Sequence, residues 1–389
     1  MESVRKQSPV LFVSAGNCLF KRERIPARKI PQAREIARLM VDAYNEMGLA
    51  AMGVGAYDLS LGVDFLLDLA RRARFPFVCA NLTDPHGTPY FPAYRIVEAG
   101  GLRVALVGVM DSRLKRGHIP GGRKVVVAPP LETVARVIPR VAQERPDLIV
   151  VLTDMSERRR RLLARKGLPV DLVVGTSRRN QLSVPFHLKG TLIVALDRRG
   201  KTLGRVDVIP KKGGGYELRN SFIPLLQKRY PDHPRVGKMV RETLARIRSL
   251  QAQAIPEVAE GGEEGCGQDY VGAETCRRCH GRRYAHWKHT PHARAYETLR
   301  AKGKELDTEC LACHTVAFEC SNGKPDRRSM EQFPGVQCES CHGPGSAHAA
   351  SEGRTPVEPG LVCAKCHTRD RSDTERIEDR ASEACAETD

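Results

Sequence analysis

One five-residue pattern occurs four times in the last third of the chain: a cysteine, two variable residues, a second cysteine and a histidine. The copies begin at Cys276, Cys310, Cys338 and Cys363. With 13 cysteines and 12 histidines in 389 residues, chance would give about 0.01 copies. In c-type haem proteins the two thiols of this pattern bond to a haem and the histidine binds its iron, whereas zinc sites need no histidine after each second cysteine. The pattern therefore predicts four covalently bound haem c groups.

The motif residues divide into attachment sites and proximal iron ligands. The predicted attachment thiols are Cys276, Cys279, Cys310, Cys313, Cys338, Cys341, Cys363 and Cys366. The predicted proximal ligands are His280, His314, His342 and His367. A low-spin haem iron needs a second axial ligand, and four more histidines lie near the motifs: His286, His289, His292 and His348.

The composition fits a folded protein outside the cytoplasm. Hydrophobic residues make up 41% of the chain, and no apolar run reaches the roughly 18 residues that span a membrane. Covalent haem attachment predicts a periplasmic or other extracytoplasmic location. The segment Met1–Lys6 leads directly into an apolar strand and lacks the apolar region of a secretory signal. We therefore expect that the true start lies upstream and that the present start is truncated.

The net charge of +17 is concentrated in residues 1–267, whereas residues 371–389 are acidic. Haem propionates would add negative charge to the motif-bearing segment, so the loaded protein should have one basic and one acidic end. Such a charge distribution orients charged partners, and we expect redox proteins as partners. The basic run Arg158–Arg161 has no interleaved aromatic residues, so it predicts a solvated helix face and no nucleic-acid partner.

Hydrophobic periodicity divides the chain into four parts. Residues 1–225 alternate between strand and helix signals, which predicts a layered α/β domain. Residues 226–267 are predicted to form a helix and a linker. Residues 268–370 form the predicted haem domain, mostly α-helical and irregular, and residues 371–389 a disordered tail. The predicted strands are Val10–Ser14, Ala50–Gly55, Phe77–Asn81, Val104–Val109, Leu148–Leu152, Leu172–Val174, Leu192–Leu196 and Val206–Ile209, and the first helices are Ile30–Met47, Val63–Ala73 and Leu131–Glu144.

Several segments of residues 10–210 resemble the metallophosphoesterase domain of 5′-nucleotidases. They include Val13-Ser14-Ala15-Gly16-Asn17, Gly55-Ala56-Tyr57-Asp58, Cys79-Ala80-Asn81-Leu82, Leu152-Thr153-Asp154 and Gly175-Thr176-Ser177-Arg178-Arg179. The resemblance implies the fold of that family. The family's two-metal chemistry needs Asp, His and Asn ligands, and this chain has replaced them. Asn17 stands for the bridging Asp, Ala56 and Tyr57 for an Asn-His pair, Asp154 for a His, and Ser177 and Arg179 for the last two His. We therefore expect a catalytically inactive domain without bound metal.

The haem segment resembles the multihaem family that includes the tetrahaem electron carrier of ammonia-oxidising bacteria. The resemblance rests on Tyr270-Val271-Gly272-Ala273-Glu274-Thr275-Cys276, on Trp287-Lys288-His289-Thr290-Pro291-His292 and on Gly335-Val336-Gln337-Cys338 through His348. It implies that His292 and His348 are distal ligands, with His289 a further candidate and His286 a weaker one. Family members continue to another distal histidine, whereas no histidine follows His367, so we expect one five-coordinate iron unless His286 or His289 completes the set.

Five cysteines remain outside the motifs. Cys266, Cys320 and Cys385 lie near the haem segment, where two of them could form a disulfide. Cys18 and Cys79 are predicted to be ordinary buried thiols. Together these features predict a periplasmic tetrahaem electron-transfer protein with an inactive phosphoesterase-like domain for docking or scaffolding. Two alternatives stay open: a multihaem oxidoreductase acting on a small nitrogen or sulfur compound at an open iron, and a metal-dependent phosphohydrolase.

Overall fold

The structure, a computed structural model, describes residues 5–111, 122–176, 183–196, 200–226, 230–256, 266, 269–321, 325–357 and 363–368. The chain divides into two compact units, residues 1–244 and residues 245–389. A long helix over Pro234–Ala254 runs through the dividing point, within the segment that the sequence assigns to a helix and linker.

The first unit contains two main β-sheets. One has three parallel strands in the order β1-β2-β3, and the other has six strands in the order β10-β11-β9-β8-β6-β5. Strands β6, β8, β9 and β11 are parallel, and β5 and β10 pair antiparallel at the two edges. The strands are β1 Val13–Ser14, β2 Ala51–Gly53, β3 Phe77–Val78, β4 Leu82–Thr83, β5 Tyr94–Ala99, β6 Leu102–Val109, β7 Val126–Val127, β8 Leu148–Thr153, β9 Leu172–Thr176, β10 Ser183–Leu188, β11 Thr191–Leu196, β12 Thr202–Pro210 and β13 Tyr216–Pro224.

Helices cover the outer faces of both sheets, which gives the layer order helix, sheet, sheet, helix. Helices α1 (Ile30–Met47) and α2 (Gly62–Arg72) pack on the small sheet through a cluster that includes Val41 and Leu66. Helices α3 (Pro130–Gln143) and α4 (Glu157–Arg165) pack on the large sheet. Alternate residues of the central strands form a third cluster between the sheets, because successive side chains of a strand point to opposite faces. The predicted layered α/β class is confirmed.

The two sheets approach closely at Gly108 of β6. A Cβ atom at this position would lie 1.9 Å from the carbonyl oxygen of Val78 in β3. Only glycine can therefore occupy this position without moving one of the sheets. The residues that follow β3 and β6 come together at one edge of the two sheets. They are Ala80–Asn81 and Met110–Asp111, and the Asn81 side chain forms hydrogen bonds with the backbone of Met110.

The structure corrects several of the predicted elements. Strand β12 begins at Thr202, ahead of the predicted start at Val206, because it pairs along its whole length with β13. Strands β5, β10 and β13 were not predicted. Their alternating polar residues follow from their positions at sheet edges or in a two-stranded sheet, where one side contacts water.

The second unit consists of short helices. The long helix described above is α5, and nine further helices are described, of which none has more than eight residues. They are α6 Ala273–Cys276, α7 Gly281–Lys288, α8 Ala295–Ala301, α9 Thr308–His314, α10 Ala317–Cys320, α11 Arg327–Gln332, α12 Glu339–His342, α13 Ser346–Ala350 and α14 Cys363–Cys366. A small apolar cluster that includes Leu311, Val316 and Phe333 lies among them. Within the described residues, no helix of either unit is both long and apolar enough to cross a membrane.

Candidate functional site

Each Cys-x-x-Cys-His motif forms one helical turn. In three of them the N–H group of the histidine donates to the carbonyl of the first cysteine, at 2.9 Å for His280, 2.9 Å for His342 and 2.8 Å for His367. The remaining motif lies within helix α9. A helical turn places residues three and four apart on the same face, so the two thiols and the imidazole of each motif project together. This is the arrangement that attachment to one haem requires.

Two motif histidines lie opposite the two histidines that the sequence favours as distal ligands. The ring centroids of His280 and His348 are 5.9 Å apart, and those of His292 and His367 are 6.1 Å apart. Neighbouring ring pairs have centroid separations of about 4.5–7 Å, so the two rings of each pair are immediate neighbours. Two metal–nitrogen bonds of about 2 Å, together with the distance from each nitrogen to its ring centre, account for a separation of this size. The residues present therefore fit an axially ligated haem iron at both positions.

Hydrogen bonds at the Nδ1 atom orient the imidazoles of His348 and of the motif histidine His314. The Nδ1 atom of His348 lies 2.7 Å from the carbonyl oxygen of Thr355, and the Nδ1 atom of His314 lies 2.8 Å from that of Ala295. A metal-binding histidine commonly donates its other N–H group in this way, which fixes the ring and directs the free nitrogen at the metal. Burial lowers the pKa of His292, with His367 nearby, and lowers that of His342, with Arg283 and His280 nearby. Both shifts favour the neutral imidazole that a metal binds.

The thiols of different motifs lie side by side. Cys276 of the first motif pairs with Cys338 of the third, and this contact lowers the pKa of Cys276. Burial raises the pKa of Cys366 in the fourth motif to about 12, with the thiols of Cys313 and Cys341 close to it. The first motif therefore adjoins the third, and the fourth adjoins both the second and the third.

The other candidate distal ligands lie on helix α7. His289 is exposed at the end of this helix, and His286 is half-buried within it. Neither position adds to the evidence for a ligand role. Cys266 and Cys320 form a disulfide, so the predicted cysteine pairing is found between these two residues. Cys385 lies outside the described residues.

The centre of the phosphoesterase-like domain contains three buried carboxylates, Asp58, Asp111 and Asp154. Asp58 accepts hydrogen bonds from the backbone N–H groups of Asn17 at 2.7 Å, Cys18 at 3.1 Å, Leu19 at 3.1 Å and Gly55 at 2.9 Å. Burial raises the pKa of Asp58 to about 6, against the opposing effect of these donors.

Asp154 binds further parts of the same centre. Its carboxylate accepts from the Nδ2 atom of Asn17 at 3.3 Å, from the backbone of Ala56 at 3.0 Å and from that of Asp111 at 2.5 Å. The Oδ1 atom of Asn17 accepts from Tyr57 at 2.8 Å. The carboxylate oxygens that could hold metal ions are thus directed at protein donors.

Arginine side chains complete this centre and correct one prediction. Arg159 pairs with the buried Asp111. Arg160 is only 2% exposed and donates to the carbonyl of Met155 at 2.6 Å. The run Arg158–Arg161 is therefore not simply the solvated helix face predicted from the sequence. Two of its four arginines, Arg159 and Arg160, turn inward from α4.

The donor set does not fit a pair of metal ions. A two-metal centre needs several carboxylate, histidine or asparagine ligands around ions about 3.5–4 Å apart. Among the described residues, no group of three or more His, Cys, Asp or Glu side chains could hold a metal ion. Ser177 and Arg179, which replace the last two family histidines, lie outside the described residues. The pKa values of Cys18 and Cys79, each raised by burial to about 12, keep these thiols protonated.

Comparisons with known proteins agree with the two halves of the chain. The family model for cytochrome c554 and c-prime matches residues 275–343, which contain three of the four motifs. Cytochrome c-554 of Nitrosomonas europaea is 31% identical over 111 residues, which cover 25% of this chain and 47% of that protein. The chain joins a segment similar to cytochrome c554 to a domain with the metallophosphoesterase fold.

Three further proteins match longer stretches of this chain. Endonuclease YhcR of Bacillus subtilis is 27% identical over 221 residues, which cover 51% of this chain but 18% of that protein. Sulfate thiohydrolase SoxB of Thermus thermophilus has a TM-score of 0.53 at 22% identity, covering 61% of this chain and 43% of that chain. The calcineurin-like phosphoesterase YfkN of Bacillus subtilis has a TM-score of 0.53 at 19% identity, covering 64% and 87%. At these identities the structural likeness establishes the fold alone.

Proposed function

We propose that this protein is an extracytoplasmic tetrahaem cytochrome that transfers single electrons between redox proteins. The observation that supports this proposal most strongly is the presence of two pairs of histidine rings, each with its centroids about 6 Å apart. Covalently bound haem supplies iron that alternates between two oxidation states. The chain supplies the attachment thiols, the axial imidazoles and the carbonyls that orient them.

We assign His280 and His348 to one iron and His367 and His292 to another. Each pair joins residues that are distant in sequence, so each haem would also connect the module internally. His314 and His342 are the proximal ligands of the other two irons, for which the proposal assigns no distal histidine. It expects at least one of these irons to be open.

The adjoining motifs support passage of electrons within the module. Cys276 and Cys338 are in contact, and Cys366 lies close to Cys313 and Cys341. Groups attached to neighbouring thiols must themselves be neighbours. The first haem would therefore adjoin the third, and the fourth would adjoin both the second and the third. Single-electron transfer between haems needs close spacing. It does not need a bound substrate.

The extracytoplasmic location is supported by two kinds of covalent chemistry. The Cys266–Cys320 disulfide is of a kind that persists in oxidising compartments and is rare in the cytosol. The motif cysteines must meanwhile stay out of disulfides so that their thiols can bond to haem. Both features agree with maturation in the periplasm.

The phosphoesterase-like domain is proposed to dock or scaffold and to have no hydrolytic activity. Its central carboxylates bind backbone N–H groups, Asn17 and Arg159. Its surface carries most of the excess positive charge of the chain. A basic domain beside an acidic haem module would orient an incoming redox protein.

Ligand binding to the reduced protein separates electron transfer from the oxidoreductase alternative. The full-length, haem-loaded protein would be titrated with carbon monoxide, nitrite and hydroxylamine while its absorption spectrum is recorded. We expect fast reduction and reoxidation by small redox proteins, carbon monoxide binding at no more than the open irons, and no catalytic consumption of nitrite or hydroxylamine. Sustained turnover of either compound would contradict the proposal and favour the enzyme.

A further inference from the structure

We propose that Glu339 is a positioning residue that holds His348 opposite His280, and that its negative charge lowers the reduction potential of the haem bound between them. This inference rests on the ligand assignment made above. Glu339 is the first of the two variable residues of the third motif, a place with no part in haem attachment itself. It is only 3% exposed, although carboxylates are rarely buried without a reason.

The carboxylate of Glu339 is bonded to three backbone groups. It accepts from the N–H groups of Val271 at 2.9 Å, Gly272 at 2.8 Å and Gly345 at 2.9 Å. Three such donors satisfy the oxygens of a buried carboxylate. Within the described part of the chain, no lysine or arginine pairs with this carboxylate. Its negative charge is therefore solvated by the backbone and is not cancelled by a cation.

These three bonds join the segments that carry the two axial ligands. Val271 and Gly272 directly precede helix α6, which leads into the first motif and His280. Gly345 directly precedes helix α13, which carries His348. Through one side chain, the turn of the third motif holds both segments, so the distance between the two imidazoles depends on Glu339.

Gln337 extends the same arrangement from the other side of Cys338. Its Oε1 atom accepts from the backbone of Ala273 at 2.7 Å, and its Nε2 atom donates to the carbonyl of Pro334 at 2.9 Å. The start of helix α6 is therefore held by two side chains of the third motif region. The role of Glu339 differs from that of Gln337 because only Glu339 reaches Gly345 and only Glu339 is charged.

The charge of Glu339 lies near the attachment point of the first haem. It acts electrostatically on the thiol of Cys276, which itself touches Cys338. A nearby negative charge stabilises the ferric state more than the ferrous state, and in a buried site this interaction is weakly screened. Removing the charge should therefore make that iron easier to reduce.

The test compares Glu339→Gln, Glu339→Asp and Glu339→Ala in the full-length, haem-loaded protein. The measurements are a spectroelectrochemical titration, which gives the potentials, and electron paramagnetic resonance, which gives the spin states. Glu274→Gln is the matched control, because Glu274 lies two residues before Cys276 with its side chain 73% exposed. His348→Ala tests the ligand assignment in parallel.

We expect Glu339→Gln to move one haem couple to a higher potential, Glu339→Asp to remain closer to the parent, and Glu274→Gln to match it. Glu339→Ala should release His348 and give about one haem's worth of high-spin signal, as His348→Ala should. Potentials of Glu339→Gln equal to those of the parent would overturn the proposal, as would a Glu339→Ala protein with the parental spin state. If Glu339→Ala is not produced, the potentials of the other two variants decide the matter. A parental spectrum in His348→Ala would instead refute the ligand assignment, whatever Glu339 does.

Discussion

The amino-terminal domain keeps the layers of a metallophosphoesterase but fills the centre with its own hydrogen bonds. The carboxyl-terminal module does the reverse: it keeps all four Cys-x-x-Cys-His motifs, with motif helices of only four to seven residues. A sheet sandwich is stabilised by its packed core, so it persists after its metal ligands have changed. The haem module contains few apolar clusters, so its order should depend on its cofactors. Changes to the packed core should therefore destabilise the amino-terminal domain, whereas changes to the cofactor ligands should disturb the carboxyl-terminal module.

The largest expected effect is the loss of axial ligation. We predict that His348→Ala and His292→Ala will each convert about one haem from low spin to high spin, because the distal imidazole is removed. His233→Ala should leave the spectrum unchanged, because His233 belongs to the first unit and lies outside the motif-bearing segment. His289→Ala should also leave it unchanged, since that side chain is exposed. Electron paramagnetic resonance and absorption spectroscopy measure the change, and parental spectra in both ligand variants would refute the pairing.

The disulfide is expected to contribute less than the haems but still measurably. It joins cysteines 54 residues apart, and closing a loop of this length stabilises a fold by about 2–4 kcal/mol. Replacing Cys266 and Cys320 by serine should lower the free energy of unfolding of the haem module by about this amount. The transition of the amino-terminal domain should stay in place. Denaturant titration followed by circular dichroism and haem absorption separates the two, and a coincident shift of both transitions would contradict their independence.

Asp58 gives the amino-terminal domain a specific dependence on pH. Its native pKa of about 6 lies above the ordinary value of 3.8, so the native state holds this proton more tightly than the unfolded state. Its contribution to stability is therefore greatest at low pH and falls as the pH rises towards 6. Asp58→Asn cannot titrate, so the stability advantage of the parent over this variant should shrink by about 2 kcal/mol between pH 4 and pH 7.

Guanidinium unfolding at several pH values measures this difference. Asp68→Asn serves as the control, since the Asp68 side chain is 59% exposed on α2. A difference that does not vary with pH would show that the four backbone donors outweigh the effect of burial on Asp58.

The smallest expected effect is in phosphoester hydrolysis, where we predict none. Asn17→Asp should not restore activity with added manganese, because Asp58 and Asp154 remain bonded to backbone donors and Arg159 still neutralises Asp111. The measurements are metal content after dialysis and release of phosphate from nucleotides. Stoichiometric metal in the parent protein, or turnover above background, would contradict the inactive domain.

The sequence predicted the two halves with unequal success, for physical reasons. Buried strands such as Leu148–Thr153 are continuous apolar runs, and α1 has a clear apolar periodicity, so both were predicted close to their bounds. The edge strand Tyr94–Ala99 and the hairpin of β12 and β13 alternate polar and apolar residues and were missed or misplaced. Arg160 was assigned to solvent because a run of arginines carries no sign of which member turns inward.

In the carboxyl-terminal module the motif predicts the attachment residues, but not which motifs adjoin. The contact between Cys276 and Cys338 joins positions 62 residues apart, which no local pattern reveals. The role proposed for Glu339 depends on the same long-range packing. A carboxylate within a motif is visible in the sequence, whereas its burial and its three backbone partners are visible only in the fold.

The most direct test of the central claim is the mass of the denatured protein, produced in a strain with its own cytochrome maturation machinery. Denaturation removes everything that is not covalently bound, so the mass counts the haems attached to the chain. We predict an increment of four haems, falling to three when Cys338 and Cys341 are both replaced by serine. A mass without haem increments, or one unchanged by that replacement, would contradict the account.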